Sequence, residues 1–302
     1  MSDAGPEVLC VGRLYCDLVF TGVARMPSLG TETFGTGLGL HAGGGAFITA
    51  AAFGALGWKS ALAATLPASP FDQIVSGEIA ASGVDAGLCV AADPDNAPQI
   101  TVAIAAQDDR AFLSHKSGAA VPSLVLDQLP ATLRHLHIGE LRTACEQPEL
   151  ITLARAAGLT ISLDCAWDDA LLSQPEGVEE IIRQVDVFLP NEDEMNRLTA
   201  SGFETDPGTL IVVKCGDKGA RAQSGARWIE RAAEPVSVID ATGAGDAFNG
   251  GFVSAWLEGQ PLEDCLSKGN HCGAAAVQSI GGTGGFERLR GAAKALRTPA
   301  AE

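Results

Sequence analysis

Between residues 134 and 214 the chain alternates between short apolar runs and stretches with helical spacing. Runs at His135–Ile138, Thr160–Asp164, 187–190 and 209–214 are separated by candidate helices at 148–157, 177–184 and 192–199. A strand, a helix and a second strand close as a parallel pair with a crossover, so the pattern predicts a parallel sheet with helices on both faces. Strands at 7–11 and 60–65 and helices at 45–57 and 71–82 extend the same plan toward the amino terminus. Two stretches, 18–40 and 93–115, are out of step. They carry strand signals at 17–21, 99–106 and 110–114 and the alternating Phe34, Leu38 and Leu40, without a helix between. These are expected to leave the main sheet. A further short strand is read at 88–90.

The 302 residues, 46% hydrophobic and 19% charged, suffice for a large core and are read as a single unit over 1–302. The net charge of −17 argues against nucleic acid and anionic membranes as partners, since both reward basic surfaces. The eight cysteines include no C-x-x-C pair, which argues against a zinc ribbon or a redox motif. The acidic start has no basic n-region, and no apolar run is long enough to span a bilayer. With free thiols, this makes the cytoplasm the expected location.

Residues 239–252, IDATGAGDAFNGGF, concentrate the chemistry. Val236, Val238 and Ile239 read as a strand end. Gly243, Ala244 and Gly245 read as a turn whose amides can approach a ligand closely. Asp246 opens a helix on which Phe248, Phe252 and Trp256 recur at i, i+4 and i+8. A helix amino terminus suits a phosphate. A carboxylate beside it repels a resting anion and needs a reason, such as taking a proton from an attacking hydroxyl. Gly250 and Gly251 inside the helix cost about 1 kcal/mol each relative to Ala, and Asp240 and Thr242 add polar groups to the turn. A plain connection needs neither.

Residues 240–246 resemble the D-T-x-G-A-G-D signature of the PfkB/ribokinase family of ATP-dependent carbohydrate kinases. The resemblance covers roughly 7–290. It implies an α/β, ribokinase-like fold, a doubly wound mostly parallel sheet flanked by helices, with a small β-sheet lid from 18–40 and 93–115. It implies Asp246 as general base, with the amides of Gly243, Ala244, Gly245 and Asp246 as an anion hole. Asp17, just after the first strand, and the backbone of Gly43 and Gly44 are implied acceptor contacts. ATP and Mg²⁺ follow from the family. Asn191 and Glu194 match its N-x-x-E motif, with Glu194 acting on Mg²⁺ through water. Lys214, Gly216, Gly219, Thr242 and Asn270 match positions around the nucleotide. Asp240 and the loop 281–285 fall where a monovalent cation such as K⁺ would sit. Glu140 at the sheet edge and Arg110 in the lid are further candidates for contacting the acceptor. The implied acceptor is a small sugar or sugar acid, and exposed lid strands imply a homodimer through the lid.

The chain departs from the family pattern in three places. Ile48 stands in the Asn position of G-G-x-x-x-N, with Thr49 the adjacent polar alternative. Lys214 replaces the usual Thr of the nucleotide loop, and Pro67-Ala68-Ser69 replaces G-x-D. These keep two rivals open: a nucleoside or phosphosugar kinase, and a non-catalytic nucleotide- or sugar-binding regulator. His135 and His137 share a strand face and read as a packed pair, not a metal site. Residues 57–60 lack the glycine of a Walker A loop. Phe248 takes the third-glycine place of a dinucleotide fingerprint, which argues against NAD.

Overall fold

A computed structural model describes residues 5–106, 109–174, 177–225 and 227–290. Six strands lie side by side and parallel, in the order β10 (Leu210–Lys214), β9 (Val187–Leu189), β8 (Thr160–Asp164), β7 (His135–Ile138), β1 (Val8–Val11) and β4 (Ser60–Ala63). An antiparallel hairpin, β11 (Ala220–Ser224) and β12 (Arg227–Arg231), extends the sheet beyond β10.

Both faces are covered, which is why these strands are almost continuously apolar. On one face Val8, Cys10, Leu62, Val187, Leu189 and Val212 pack against helices α1 (Gly45–Ala55), α8 (Ala244–Leu257) and α9 (Leu262–Ala276). On the other, Leu9, Val11, Ile138, Ile161, Phe188 and Val213 pack against α3 (Leu141–Glu146), α4 (Glu149–Ala156) and α7 (Glu192–Ala200). The register places His135 beside Val8, His137 beside Cys10, Ser162 beside Val187 and Asp164 beside Leu189. The α8 face therefore carries a polar line, His135, His137, Ser162 and Asp164, through a mostly apolar layer.

A second sheet stands apart, in the order β3 (Gly37–Gly43), β2 (Tyr15–Val23), β5 (Ile100–Ala106) and β6 (Asp109–His115). It is built from the two stretches that break the strand–helix alternation, extended at 15–17 and 41–43.

Some sequence expectations fail for identifiable reasons. Residues 236–239 form no strand. Val238 and Ile239 are exposed, and the amides of Ile239 and Asp240 donate to the Val277 carbonyl at the end of α9. Residues 88–90 form no strand and make a single isolated bridge, Val90 with Thr65. The glycines inside α8 serve packing. A Cβ at residue 250 would stand 2.6 Å from the Ala52 Cβ of α1, and one at 251 would stand 2.7 Å from the Cys272 Sγ of α9. Their helix cost is offset by close approach of α8 to both neighbours.

Candidate active site

Three consecutive glycines join β3 to α1 and form the floor of the site. Gly44 caps α1 at φ 105°, in the region that favours glycine, and a Cβ there would fall on the Arg13 carbonyl. A Cβ at residue 43 would fall on the Asp17 carboxylate. One at 45 would stand 2.7 Å from Asp246 Oδ1 and 2.8 Å from the Gly139 carbonyl. The run thus holds Asp17 over its first glycine and Asp246 over its third. Asp17 comes from β2, opposite His41 of β3. Asp246 is the third residue of α8, whose cap Gly243 has φ 73°.

A buried charge cluster lies behind Asp246. Lys214 Nζ, from the end of β10, donates to Asp164 Oδ1 at 2.7 Å and to Asn249 Oδ1 at 3.2 Å. It also lies 3.3 Å from the Cβ position of Gly245, which sets an ammonium beside the first turn of α8. Burial pushes that ammonium's pKa down, but Asp164 and Glu194 outweigh it and the pKa is raised. Asp246 is pushed up to about 7 by burial and by the neighbouring Asp164, with which it shares a hydrogen bond; Lys214 opposes the shift. Glu194 reaches about 7 by burial and by Asp164. Asp17 reaches about 7 chiefly by burial, His41 opposing.

These shifts have a consequence for stability. Each group binds its proton more tightly in the folded chain than at the ordinary carboxylate pKa of ~4. Between that value and about 7 the unfolded chain has released protons that the native state keeps. Their contribution is therefore fully present at low pH and is lost as pH rises through 7. The ligand-free protein is expected to melt at a higher temperature at pH 6 than at pH 8 in scanning fluorimetry. A higher melting temperature at pH 8 would contradict the raised pKa values.

The remaining sequence candidates fall into distinct settings. Asp240 ties two Gly-rich loops together, its Oδ1 accepting from the Thr242 amide and its Oδ2 from the Gly281 amide, both at 2.9 Å. Thr242 is buried in that turn. Ile48 does not substitute for a polar acceptor contact. It packs its Cδ1 against Gly243 and Gly282, wedging the same two loops. Thr49 is no polar alternative either, since it is fully buried and donates to the Asp246 carbonyl at 3.1 Å. Asn191 and Glu194 form a reciprocal capping box on α7, at 2.8 and 2.7 Å, so helix capping alone accounts for their spacing. Asn270 spends its amide N–H groups on the Arg231 and Ala232 carbonyls, at 3.0 and 3.1 Å, anchoring α9 to the end of β12. Gly219 has φ 100° and packs against residues 231–233, while Gly216, at φ 60°, borders open space. Glu140 accepts from Thr143 Oγ1 at 2.5 Å, and its carboxyl is raised mainly by burial. Arg110 lies in β6, but its side chain is outside the described residues.

Asp164, Gly45 and Arg13 escaped the sequence reading. Asp164 ends a parallel strand at the carboxyl edge, where ligands bind in open α/β sheets, and that position was the available signal. Gly45 belongs to the visible glycine run. Arg13 is buried and is spent on Gln99 Oε1 at 2.5 Å, the Ser117 and Gly118 carbonyls, and Glu146. Nothing local in the sequence marks it. Among the described residues, no three His, Cys, Asp or Glu side chains converge on a metal site, and no helix is long and apolar enough to cross a membrane.

Comparisons with known proteins agree with this architecture. The profile of the family described as pfkB family carbohydrate kinase matches residues 6–288. An uncharacterized sugar kinase of Archaeoglobus fulgidus is 37% identical over 120 residues, covering 37% of this chain and 47% of that one. Fructoselysine 6-kinase of Escherichia coli is 37% identical over 92 residues, covering 30% and 35%. The chain thus spans about half or less of the length of these curated relatives. Among solved structures, adenosine kinase from Sinorhizobium meliloti superposes with a TM-score of 0.79 over 97% of this chain and 100% of that one, at 19% identity, which is a likeness of fold. From the profile match and the shared architecture, the chain belongs to the pfkB family of carbohydrate kinases.

Proposed function

We propose that the protein transfers the γ-phosphoryl group of ATP to a hydroxyl of a small sugar or sugar acid. The observation that carries this reading is the pair of carboxylates, the buried Asp17 and the partly buried Asp246, held over the two ends of the Gly43–Gly45 floor. One acid binds an acceptor hydroxyl while the other takes a proton from the attacking one. Asp246 serves as the base once ionised. The amides of Gly245 and Asp246 open α8, where helix geometry leaves N–H groups without intrahelical partners, and Lys214 adds a cation at the same turn. Together they suit a phosphoryl group whose negative charge lies on its equatorial oxygens. Asp240 and Ile48 keep the 240–246 turn against the 281–285 loop, and so keep the anion hole in place.

The donor set fits a Mg²⁺ held mainly by water and phosphate oxygens. Glu194 is buried beside the Lys214 cluster with one oxygen spent on its helix cap, so it would act through water. When bound, Mg²⁺ supplies neutralising charge to the phosphates. In the same reading a monovalent cation such as K⁺ belongs beside Asp240 and the carbonyls of the 281–285 loop. Arg13 is buried and spends both Nη groups within the protein, which favours an acceptor without a phosphate of its own. The second sheet acts as the lid over the acceptor, in one kinase unit with the main sheet. Its exposed Leu38, Leu40 and Leu113 support a homodimer through that sheet; a monomer by light scattering at micromolar concentration would count against it.

The test is acceptor-dependent ADP formation across ketoses, aldoses, sugar acids, fructosamines and nucleosides. Turnover with a sugar or sugar acid supports the reading, turnover with nucleosides alone moves it to a nucleoside kinase, and none with any acceptor favours a binding protein. Asp17→Ala is expected to raise the acceptor KM far more than the ATP KM. Equal effects on both would remove Asp17 from the acceptor site.

A further inference from the structure

Within the polar line on the α8 face of the sheet, His135, Ser162 and His137 form, with Thr160, a continuous hydrogen-bonded chain. Thr160 Oγ1 meets His135 Nδ1 at 2.8 Å, His135 Nε2 meets Ser162 Oγ at 2.7 Å, and Ser162 Oγ meets His137 Nδ1 at 2.8 Å. His135, His137 and Ser162 are fully buried. Equivalent positions on the neighbouring strands hold Val8, Cys10 and Val187, so the layer does not require polar groups here. A buried polar chain in an apolar layer carries a desolvation cost.

The anchored end sets the direction of the chain. Thr160 Oγ1 donates to the Arg134 carbonyl at 3.2 Å, so it accepts from His135 Nδ1–H. His135 Nε2 then accepts from Ser162, and Ser162 accepts from His137 Nδ1–H. Every donor points away from the catalytic edge. His137 Nε2 is left as an unprotonated, buried nitrogen without a partner. It feels Asp164 and Lys214 electrostatically. Asn249 Nδ2, whose amide oxygen holds Lys214, is likewise buried and unpartnered. Burial, before any other cause, keeps both rings neutral, lowering His137 to about 4 and His135 well below its ordinary value. Thr160 at the far end is half-buried and opens toward solvent at the amino-terminal edge of the sheet.

We propose that His137, Ser162, His135 and Thr160 form a buried proton channel that carries the proton accepted by Asp246 to solvent on the opposite edge of the sheet. The proposal rests on the kinase reading above. Asp246 is partly exposed in the free chain, and acceptor and ATP in the mouth of the site would cover it from bulk water. The link from acid to chain in this proposal is one water that accepts from the protonated Asp246 and from Asn249 Nδ2 and donates to His137 Nε2, the two buried unpartnered nitrogens supplying its protein contacts. The proton arrives on His137 Nε2 and His137 passes its Nδ1 proton to Ser162. Ser162 passes its own to His135 Nε2, and His135 passes its Nδ1 proton to Thr160, whose hydroxyl proton leaves to water. One proton enters and one leaves. The chain then holds the reverse hydrogen-bond direction and the opposite ring tautomers on the same heavy atoms. Once product leaves and water enters the mouth, a proton taken up at Thr160 and one released from His137 Nε2 to that water restore the starting state.

Two measurements test this on the full chain. In rapid mixing with a pH indicator, paired with quenched-flow assay of ADP, wild type is expected to release the acceptor proton in step with phosphoryl transfer in the first turnover. Ser162→Ala, and separately Thr160→Val at the half-exposed end, are expected to lose that early release and to show the proton only with product. Unchanged early release in both variants overturns the channel. Independently of activity, ¹⁵N NMR of histidine-labelled protein is expected to show both buried rings as neutral Nδ1–H tautomers in wild type, and both perturbed in Ser162→Ala. Charged or Nε2–H rings overturn it as well. Absence of acceptor-dependent ADP formation by wild type would instead overturn the kinase reading, and the ring tautomers would still decide whether the chain is built as described.

Discussion

Asp246→Asn is expected to retain ATP binding while turnover falls by about 10²- to 10⁴-fold, the usual scale of a lost general base. The substitution keeps the volume and a hydrogen-bonding group toward Asp164, so the packing over Gly45 survives. What disappears is the capacity to hold a proton. The pH dependence separates this role from a structural one. In wild type the carboxylate must be ionised to act, and its pKa stands at about 7, so kcat/KM is expected to rise with pH through that value and level off above it. Because Asp246 and Asp164 share a hydrogen bond, the observed midpoint belongs to the pair. In Asp246→Asn that rise is expected to vanish. Turnover near the wild-type value in the purified variant would remove Asp246 from the base role.

Lys214→Met is expected to have the second largest effect, on stability and on pH dependence together. The ammonium is nearly buried and faces Asp164, Glu194 and Asp246. Met fills a similar volume without charge, which leaves the buried Asp164 and Glu194 and the partly buried Asp246 without their cation. Breaking one side of a buried ion pair typically costs about 3–5 kcal/mol. The acids can answer by taking protons, so the loss is expected to be largest at pH 8 and smaller at pH 6. For the same reason the midpoint of the pH–rate profile is expected to move to higher pH. Denaturant melts at the two pH values, with a pH–rate profile of the variant, check both. Unchanged stability at pH 8 with an unshifted profile would show that the Lys214 charge does not organise the site.

The six parallel strands of the main sheet were legible as apolar runs of three to five residues set between stretches of helical spacing, whereas the β11–β12 hairpin was not read from the sequence. The second sheet was legible as a break in that alternation. The Gly243–Asp246 turn and the Gly43–Gly44 pair were legible because only residues without side chains let a backbone come so close to a carboxylate or an anion. Other features misled for physical reasons. Gly250 and Gly251 looked functional, yet they exist to let α1 and α9 approach α8. Val236–Ile239 looked like a strand, yet its amides bond to the end of α9 and not to the sheet edge. Asn191 and Glu194 looked like a metal-linked pair, and their spacing is equally that of a capping box.

Asp164 shows most clearly what a local pattern cannot carry. On its own it is an acid ending a strand, indistinguishable from a solvated turn residue. Its meaning comes from Lys214 and Asp246, brought to one sheet face by three parallel strands and the helix above them. His135 and His137 are similar. The sequence by itself determined that they share a strand face, and it determined the sheet, the glycine turns and the family these imply. Only the tertiary structure decided which side chains are buried together, and so which acids keep protons near neutrality, which cation balances them and which way the histidine chain is polarised. Periodicity and turn chemistry are encoded between neighbours in the chain. Charge state and hydrogen-bond direction depend on desolvation and on partners tens to hundreds of residues away, and these exist only once the layers have closed.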